Sequence, residues 1–515
     1  MRKFTLLIAS LFITIGAMAQ PQVGKYYKIK GNHSTNPWLT AVVEGGGIDV
    51  ASNEANAGIY EITTTGIREV FTGKYIGTGG NGSQITLVST ADATTIETSD
   101  NGKYLIKTGG RYLYNNQADY TREAGNLTAA GANDPKWEFI EVAPIFTMNN
   151  EYNGRGTLCF GKYNGNECFA LTGITLDGYT GNSVTVENDA DKYWYVKRSG
   201  TNLYIYNIGK GMFLQAYSSK TAMCGTGVAN GFTVEIRTQS DINYRSFKSG
   251  DYYLTFSCGW GPAQTGDGAT GQVRWINNNE EAATLLTVTP VEGSSTTYAS
   301  EIAKADALIN GFENPYTLNV TDAGYATLYL GYPAEIPTFE GEENGVYIAT
   351  GMSTPGYINL QPVTGVLPAN TGVIVKANSG NYEFVYSAET ASNVSSNLLK
   401  GSVANEYVAG AAYVLSAPAG ANSVGLYPAI LNKNAEGNEG ITHFINNANK
   451  AYLPNSTGSN VASYSFRFGE GTTGIDEITD NREQSTVIYD LTGRRVETIT
   501  EPGIYIVNGK KVLVK

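Results

Sequence analysis

The chain has 515 residues, of which 47 are acidic and 35 basic, and its net charge is −12 at pH 7. This acidic balance argues against nucleic acid or an anionic membrane as a partner, because either would need a basic face that displaces counterions. Only two histidines occur, His33 and His443, which argues against a His-based triad or a multi-histidine metal centre. We therefore expect no cofactor and no bound metal.

Residues 1–19 have the pattern of a secretory signal peptide. Arg2 and Lys3 precede the short apolar run FTLLIASLFITIGAMA, in which Ala17 and Ala19 supply the small residues of a cleavage site. We expect this segment to direct export to the periplasm and then to be removed. No other stretch approaches 18 uninterrupted apolar residues, so we expect no transmembrane segment in the mature chain.

Residues 20–143 contain a turn followed by an aromatic strand three times. Trp38, Tyr75 and Tyr112 stand 37 and 37 residues apart (75−38 and 112−75), and a period in this range indicates a repeated supersecondary unit. A closing strand follows each of them: IYEI at 59–62, TIETS at 95–99 and WEFIEV at 137–142. With 61 glycines for tight turns and 35 tyrosines for pleated surfaces, the pattern predicts an all-β protein that begins with a β-trefoil-like domain.

Residues 144–291 repeat this arrangement with longer loops. The expected first strands, spaced 47 and 49 residues apart, are GTLCFG (156–161), LYIYN (203–207) and YYLTFS (252–257). The expected closing strands are KYWYVKR (192–198), FTVEIR (232–237) and TLLTVTPV (284–291). The sequence therefore predicts a second β-trefoil-like domain.

These units resemble the ricin-type β-trefoil lectin family, whose repeats have a sugar-facing loop and a closing Gln-x-Trp motif. Trp137 and Trp194 stand near the closing position, although the Gln-x-Trp spelling is absent. We expect both indoles in the core, because they lie on closing strands. The resemblance implies recognition of a glycan or host glycoprotein by the loops of the scaffold.

Three other aromatic residues stand at hairpin turns or immediately after them, where a rigid scaffold usually carries recognition. They are Trp38 in PWLTA, Tyr114 in GRYLYN and Trp260 in CGWGP. Because aromatic faces stack on sugar rings, we predict these three as ligand-binding residues, with Trp38 and Trp260 exposed.

All four cysteines lie within residues 144–291. Cys159 and Cys168 flank the turn GKYNGNE on strands expected to pair, so a disulfide across this hairpin is one interpretation. Buried thiols in a core are the other, and three connectivities of the four cysteines are open.

Residues 292–313 change character to a polar linker with a short helix. Ile302, Ala305, Leu308 and Ile309 share one helical face, and we expect the helix to end at Gly311. From 314 to 472 about eight strands return without a threefold period, which favours an antiparallel β-sandwich. The phrases GYATLYL and LPANTGVIVKA resemble a module, without established chemistry, found beside many proteins secreted by the type IX system.

Residues 473–515 resemble the type A sorting domain of type IX secretion. The segments VIYDLTGRRV and GIYIVNGKKVLVK carry the resemblance, with matching residues Tyr489, Gly493, Gly503, Tyr505, Gly509 and Lys511. The resemblance implies the type IX secretion machinery as a partner and a secreted or outer-surface location.

Two functions from different classes follow from these patterns. The first is a non-catalytic binding protein, secreted or displayed at the cell surface, that recognises a glycan or glycoprotein. The alternative is a secreted all-β hydrolase of the glycosidase kind, or an accessory module of one. A catalytic carboxylate pair would meet only in the fold, so sequence spacing does not decide between them.

Overall fold

The computed structural model describes residues 20–514 except for a set of internal gaps. Predictions that fall on the signal peptide, Trp260, Gly493 or Gly509 lie outside the described residues. The gaps are 45–46, 81, 116–120, 125–134, 151–154, 164–165, 177–178, 181–183, 216–223, 226, 258–271, 278–282, 353–355, 419–422, 441, 456–457, 459, 469–487, 491–493, 497–502 and 508–509.

The protein is all-β, as the sequence predicts, and it divides into two compact units. The first unit runs to Tyr316 and also includes residues 331–333 and 385–390. The second comprises residues 317–330, 334–384 and 391 onwards. In the described part of the chain no helix is both long and apolar enough to span a membrane.

The first half of the first unit contains twelve strands in one sheet. They are β1 Tyr26–Gly31, β2 Trp38–Glu44, β3 Gly47–Ala51, β4 Tyr60–Ile62, β5 Ile67–Glu69, β6 Tyr75–Ile76, β7 Leu87–Val88, β8 Thr94–Thr98, β9 Tyr104–Thr108, β10 Arg111–Asn115, β11 Thr121–Ala124 and β12 Lys136–Val142. One-turn 3-10 helices cover Glu54–Asn56 and Asp100–Gly102.

The pairing of these strands follows the 37-residue period. Each repeat has a first strand, a hairpin of two short strands and a closing strand, and all pairings for which a register is described are antiparallel. The first strands β1, β5 and β9 each lead into their hairpins, and β1 pairs with both β4 and β12. The predicted closing strands are confirmed as β4, β8 and β12. In the first and third repeats the first strand pairs with the closing strand, as β1–β4 and β9–β12, but the described pairings do not include β5–β8. The β-trefoil assignment therefore stays a prediction.

The second half of the unit contains thirteen strands in a second sheet. They are β13 Ile145–Asn150, β14 Arg155–Tyr163, β15 Asn166–Leu176, β16 Tyr179–Thr180, β17 Trp194–Ser199, β18 Asn202–Asn207, β19 Met212–Leu214, β20 Cys224–Gly225, β21 Phe232–Gln239, β22 Ile242–Ser249, β23 Tyr252–Ser257, β24 Gln272–Asn277 and β25 Leu286–Pro290. A 3-10 helix covers Asp189–Lys192.

If β16 is set aside, the twelve other strands of the second half pair as the twelve of the first half do. Every pairing among β1–β12 recurs between the corresponding strands of β13–β25; for example, β1–β12 corresponds to β13–β25 and β9–β12 to β22–β25. The closing strands β17, β21 and β25 lie where the sequence predicts them. The chain therefore uses one strand plan twice.

The expected first strands of the second half are partly wrong. Only LYIYN is a first strand, β18, whereas GTLCFG and YYLTFS lie in β14 and β23, the second strands of their repeats. The first strands β13, β18 and β22 begin at Ile145, Asn202 and Ile242, which are 57 and 40 residues apart (202−145 and 242−202). Unequal hairpin lengths, with an eleven-residue β15, remove the fixed period.

Trp137 and Trp194 anchor the cores of the two halves, as the sequence predicts. Both indoles are fully buried. The Nε1 of Trp137 donates to the carbonyl oxygen of Leu113 at 3.0 Å, and that of Trp194 donates to the carbonyl oxygen of Leu158 at 2.9 Å. Each tryptophan therefore contributes a large apolar surface without leaving its polar nitrogen unpaired.

One apolar core cluster spans both halves. Phe71 from the first half makes edge-on ring contacts with Phe146 and Phe247 of the second, with ring centroids 5.6 and 6.4 Å apart. Tyr26 and Val70 belong to the same buried cluster. This seam between the halves buries aromatic side chains that either half alone would expose.

Two helices follow the second sheet within the first unit: α1 Ser294–Thr297 and α2 Ala299–Glu313. The predicted apolar face is confirmed, with Ala305, Leu308 and Ile309 buried. The expected end at Gly311 is wrong by two residues. Gly311 lies inside the helix and is buried. The residue must be a glycine because a Cβ there would lie 2.2 Å from the ring of Tyr332.

The second unit has fifteen strands before the tail. They are β26 Tyr316–Val320, β27 Tyr325–Leu328, β28 Ala334–Glu335, β29 Gly345–Gly351, β30 Tyr357–Val363, β31 Val366–Leu367, β32 Val373–Lys376, β33 Gly380–Phe384, β34 Lys400–Ser402, β35 Glu406–Ala409, β36 Ala412–Ser416, β37 Gly425–Pro428, β38 His443–Asn446, β39 Lys450–Pro454 and β40 Ser465–Phe468.

Two larger sheets of this unit contribute to one core. The five-stranded sheet has the order β27-β32-β29-β30-β40, and the four-stranded sheet has the order β34-β39-β36-β37. Leu360 and Ile374 of the first belong to the same buried cluster as Tyr413 and Leu453 of the second. The described registers of this unit are antiparallel, as expected, except that β30 and β40 pair in parallel.

The last strands form a separate small sheet. They are β41 Ile488–Asp490, β42 Arg495–Val496, β43 Gly503–Val507 and β44 Lys510–Val514, in the order β42-β41-β43-β44. Gly503 pairs with Val514 and Tyr505 with Val512, while the side chains of Tyr489 and Lys511 are exposed. Strand β44 lies at one end of the described order, so its outer edge has no partner strand among the described residues.

Candidate functional site

The two predicted ligand residues that the structure describes are buried. Trp38 begins β2 and Tyr114 lies in β10, and each exposes only 7% of its surface. The expectation that Trp38 is exposed at a turn is therefore wrong. Strand β2 begins at Trp38 itself, so the residue belongs to the sheet and its side chain is buried. Neither ring presents a free face for stacking on a sugar.

The aromatic residues of the 37-residue period have a structural partner in every repeat. Trp38 pairs across the hairpin with Lys30, and Tyr75 with Arg68. In the third repeat Tyr112 pairs with Lys107. The three cationic groups lie 5.3, 5.7 and 4.5 Å from the respective ring centroids. Such cation–π contacts stabilise the pairing of neighbouring strands. The aromatic residues that define the period therefore have a structural role and not a ligand-binding one.

A cavity of about 450 Å³ lies within the first unit, at the seam between the halves and beside α2. Its charged groups have partners inside the protein. Asp306 of α2 accepts hydrogen bonds from Tyr195 Oη and Lys197 Nζ, both at 2.7 Å. Lys25 and Glu141 form an ion pair at 3.0 Å. The lining therefore holds the two halves and the helix together.

Arg198 also lines this seam cavity and is one of the polar links between the halves. Its Nε donates to the carbonyl oxygen of Val70 at 2.6 Å, and its guanidinium also donates to the carbonyl oxygens of Phe71 and Thr201. Burial lowers the pKa of Arg198 to about 10. Burial, followed by the charge of Asp306, raises the pKa of the Tyr195 phenol above its usual value.

The second unit contains a larger cleft of about 790 Å³. It lies where β27, β36 and β37 meet the β38–β39 turn and the loop that follows β37. The volume is within the range of about 300–1,000 Å³ that is usual for small-molecule sites. We call this feature the asparagine cleft, because its polar lining includes Asn319, Asn432, Asn446 and Asn447.

Local sequence explains the shape of the asparagine cleft. The segment INNANK turns sharply between β38 and β39, with Asn449 at φ 59°, a left-handed conformation that asparagine tolerates well. Lys450 then begins β39. On the opposite side, the backbone of Lys433 bonds to that of His443 in both directions, at 3.0 and 2.7 Å, and closes the loop after β37.

Several polar side chains of the cleft have no hydrogen-bond partner in the described part of the chain. They are those of Ser416, Asn432, Asn447 and Lys450. Lys450 is partly buried, and burial lowers the pKa of its amine below the usual value. The other lysine of the lining, Lys433, forms a salt bridge with Glu439.

Apolar groups complete the lining of the asparagine cleft. The rings of Tyr325, Tyr427 and Phe444 lie beside the polar side chains. Ile430 and Ile445 stand at the lip with 81% and 37% of their surfaces exposed. No aspartate or glutamate is among the described residues of the lining. The cleft therefore offers hydrogen-bond donors and acceptors, apolar surface and one unpaired cation.

The histidines have local roles in the structure. His33 Nδ1 accepts from the backbone amides of Thr35 and Asn36, both at 3.2 Å, so it stabilises a turn of the first unit. His443 Nδ1 lies 2.8 Å from Thr442 Oγ1 on the exposed side of the second unit. Among the described residues, no group of three or more His, Cys, Asp and Glu side chains gathers in a metal-binding arrangement.

The predicted cysteine hairpin exists as the strands β14 and β15. Their register places Cys159 opposite Ala170 and Cys168 opposite Gly161, so the two cysteines occupy diagonal rather than directly opposed positions. Cys159 is fully buried. The disulfide between them stays a prediction.

The asparagine cleft was missed by sequence reasoning, which placed binding in the trefoil loops. Its described lining comes from segments 319–327, 414–418, 427–433 and 444–451, and no spacing rule connects them. A signal was nevertheless present. Asparagines recur in LNKN, in the loop after β37, and in INNANK, around the turn between β38 and β39.

The sequence matches no protein-family model and no curated protein. Among solved structures, one similar chain is described as a mosquitocidal holotoxin, with 11% identity and a TM-score of 0.22 over 92% of this chain and 54% of that one. Another is the GlcNAcα1-4Gal-releasing endo-β-galactosidase from Clostridium perfringens, also with 11% identity and a TM-score of 0.22, over 53% of this chain and 73% of that one. The present chain thus spans about half the length of the holotoxin.

Proposed function

We propose that this protein is a non-catalytic binding protein that recognises a glycan or glycoprotein. The observation that carries the proposal is the lining of the asparagine cleft. The exposed side-chain amides of Asn432 and Asn447 and the hydroxyl of Ser416 have no partner among the described residues, and they stand beside aromatic and aliphatic surface. A sugar ring presents hydroxyls at its edge and apolar C–H groups on its faces. It therefore suits a lining that mixes hydrogen-bonding groups with rings.

The seam cavity supports the proposal by contrast. It gathers three carboxylates, those of Glu61, Glu141 and Asp306, which are the residue types that a glycosidase needs. Each of them is bonded to a cation: Glu61 to Arg68, Glu141 to Lys25 and Asp306 to Lys197. Their arrangement is that of a structural ion-pair set, and we assign no hydrolysis to it.

We further propose export by the type IX system and display at the outer surface, with residues 473–515 as the sorting segment. The support is the sequence resemblance of this tail together with its small sheet, whose edge strand β44 can pair with a receptor strand. Deleting residues 473–515 is expected to trap folded protein in the periplasm. Normal surface display of the truncated chain would contradict the role of the tail.

The binding proposal is tested on the mature chain, residues 20–515, with a glycan array and a parallel screen for polysaccharide hydrolysis. We expect retention without turnover. Asn432→Ala combined with Asn447→Ala should abolish retention, whereas the matched control Asn438→Ala, in the same loop but outside the lining, should not. Turnover would favour the hydrolase alternative. Retention lost in Trp260→Ala but kept in the asparagine variant would place the site in the trefoil loops, as the sequence predicts.

A further inference from the structure

The asparagine cleft contains a cation without a counter-ion. Lys450 is partly buried, and its side-chain ammonium group has no hydrogen-bond or salt-bridge partner among the described residues. The only other cation of the lining, Lys433, is neutralised by Glu439, and no described acidic residue lines the cleft. Removing an ammonium group from water costs free energy unless an anion compensates it.

The rest of the molecule makes this arrangement unusual. The chain has a net charge of −12, and carboxylates accept from most of its partly buried lysines, as Glu97 does from Lys107 and Glu343 from Lys376. Lys450 instead lies in a cleft whose neighbouring groups are amides, hydroxyls and rings. A partly buried lysine without a protein acceptor, at a cavity of ligand size, is suited to bind an anionic group of the ligand.

We propose that the asparagine cleft binds an acidic sugar and that Lys450 contacts the carboxylate of that sugar. This inference rests on the proposed glycan-binding function and names its ligand class. One ammonium group matches the single charge of a carboxylate, whereas a phosphate carries nearly two charges and usually gathers arginines or several backbone amides.

The surrounding residues fix how such a ligand lies. Asn446 Nδ2 donates hydrogen bonds to Ser402 Oγ at 2.8 Å and to the carbonyl oxygen of Lys450 at 3.0 Å. These bonds fix the turn that positions the amine of Lys450. Asn447 and Ser416 remain available for the ring hydroxyls. Ile430 and Ile445 at the lip can cover the opposite, apolar edge of the ring.

Isothermal titration of the mature chain with matched probes tests the proposal. The acidic probes are sialyllactose and digalacturonate, the neutral probes are their methyl esters and lactose, and 3′-sulfolactose tests a different monoanion. We expect the acids to bind at least tenfold more tightly than the esters. Lys450→Met should remove this preference while neutral binding persists, Lys450→Arg should restore part of it, and Lys433→Met at the same cleft should change it less than threefold.

The outcomes separate this inference from the proposed function. Equal affinity for acids and esters, or an acid preference that survives in Lys450→Met, would overturn the acidic-sugar assignment and leave glycan binding standing. Equal binding of 3′-sulfolactose would overturn the choice of a carboxylate. Failure of every probe, together with an empty glycan array, would overturn both. Circular dichroism and the melting temperature of each variant establish that its fold is intact.

Discussion

The seam cavity of the first unit and the asparagine cleft of the second use polar groups in opposite ways. At the seam, Arg198 donates to three backbone carbonyls and Asp306 accepts from two side chains. In the cleft, Lys450 and Asn447 have no such partners among the described residues. Fully paired buried polar groups specify a structure, whereas a partly buried cation without a partner costs stability. Substitutions should therefore have opposite signs at the two places.

The largest effect is expected from Phe71→Ala at the seam. The ring is fully buried between the halves, and truncating such a residue costs about 3–5 kcal/mol. Because the seam is continuous, hydrogen exchange should speed up in strands of both halves. Ile76→Ala is the control, since Ile76 belongs to a core cluster of the first half alone. Faster exchange confined to β1–β12 in Phe71→Ala would show that the halves unfold independently.

Arg198→Met should be the next most severe change. It keeps much of the side-chain volume but leaves the buried carbonyl oxygens of Val70 and Phe71 without donors, at about 1–3 kcal/mol each. Urea unfolding should show a loss of about 3 kcal/mol. Lys25→Met, which removes an exposed ion pair of the same cavity, should cost less than about 1 kcal/mol. Equal losses of unfolding free energy in the two variants would show that Arg198 stabilises the seam no more than the exposed Lys25 does.

The contrast between the two places also explains what the sequence could predict. The 37-residue period revealed the three repeats of the first half because Lys30, Arg68 and Lys107 each pair with the repeated aromatic residue on the next strand. Such local pairing leaves a fixed spacing. The same logic identified the buried Trp137 and Trp194, whose closing strands carry dense apolar residues.

Sequence spacing failed to predict features that depend on long loops or on contacts between distant segments. The second half keeps the same strand order but has a longer first hairpin. The segments that begin at Gly156 and Tyr252, predicted as first strands, are second strands of their repeats. Trp38 stands beside a proline, which indicates a turn, yet pairing with Lys30 and Ala51 draws it into the sheet. The asparagine cleft combines segments more than a hundred residues apart, and only the folded chain brings them together.

A smaller, pH-dependent effect is expected where the end of α2 packs against β18. Tyr204 donates to Glu313 Oε1 at 2.8 Å, and burial, followed by this bond, helps raise the pKa of its phenol to about 12. The unfolded phenol titrates near 10. The neutral form is thus favoured by folding, and its contribution is complete below pH 10 and lost as the pH rises from 10 through 12.

Tyr204→Phe tests this effect. The variant should be less stable than the wild type by about 1 kcal/mol at pH 8, because it lacks the hydrogen bond to Glu313. The difference should shrink between pH 10 and 11.5, since the variant has no phenol to ionise at this position. Urea midpoints across this range provide the measurement. A difference that stays constant would show that Tyr204 titrates at its ordinary value.

The smallest expected effect has the opposite sign and lies in the cleft. Burial lowers the pKa of Lys450 below its unfolded value, so folding disfavours the charged amine, and stability falls as the pH drops through the folded pKa and is lowest once the amine is charged. Lys450→Met removes this cost at pH 7 and should raise the melting temperature by about 1–3 °C, corresponding to less than about 1 kcal/mol. The gain should vanish above pH 10.5, where the amine is neutral in both states. Lys433→Met, which breaks the salt bridge to Glu439, should give no gain. A melting temperature that falls in Lys450→Met would mean that the amine stabilises the empty cleft, and its part in ligand binding would then have to be argued from affinity alone.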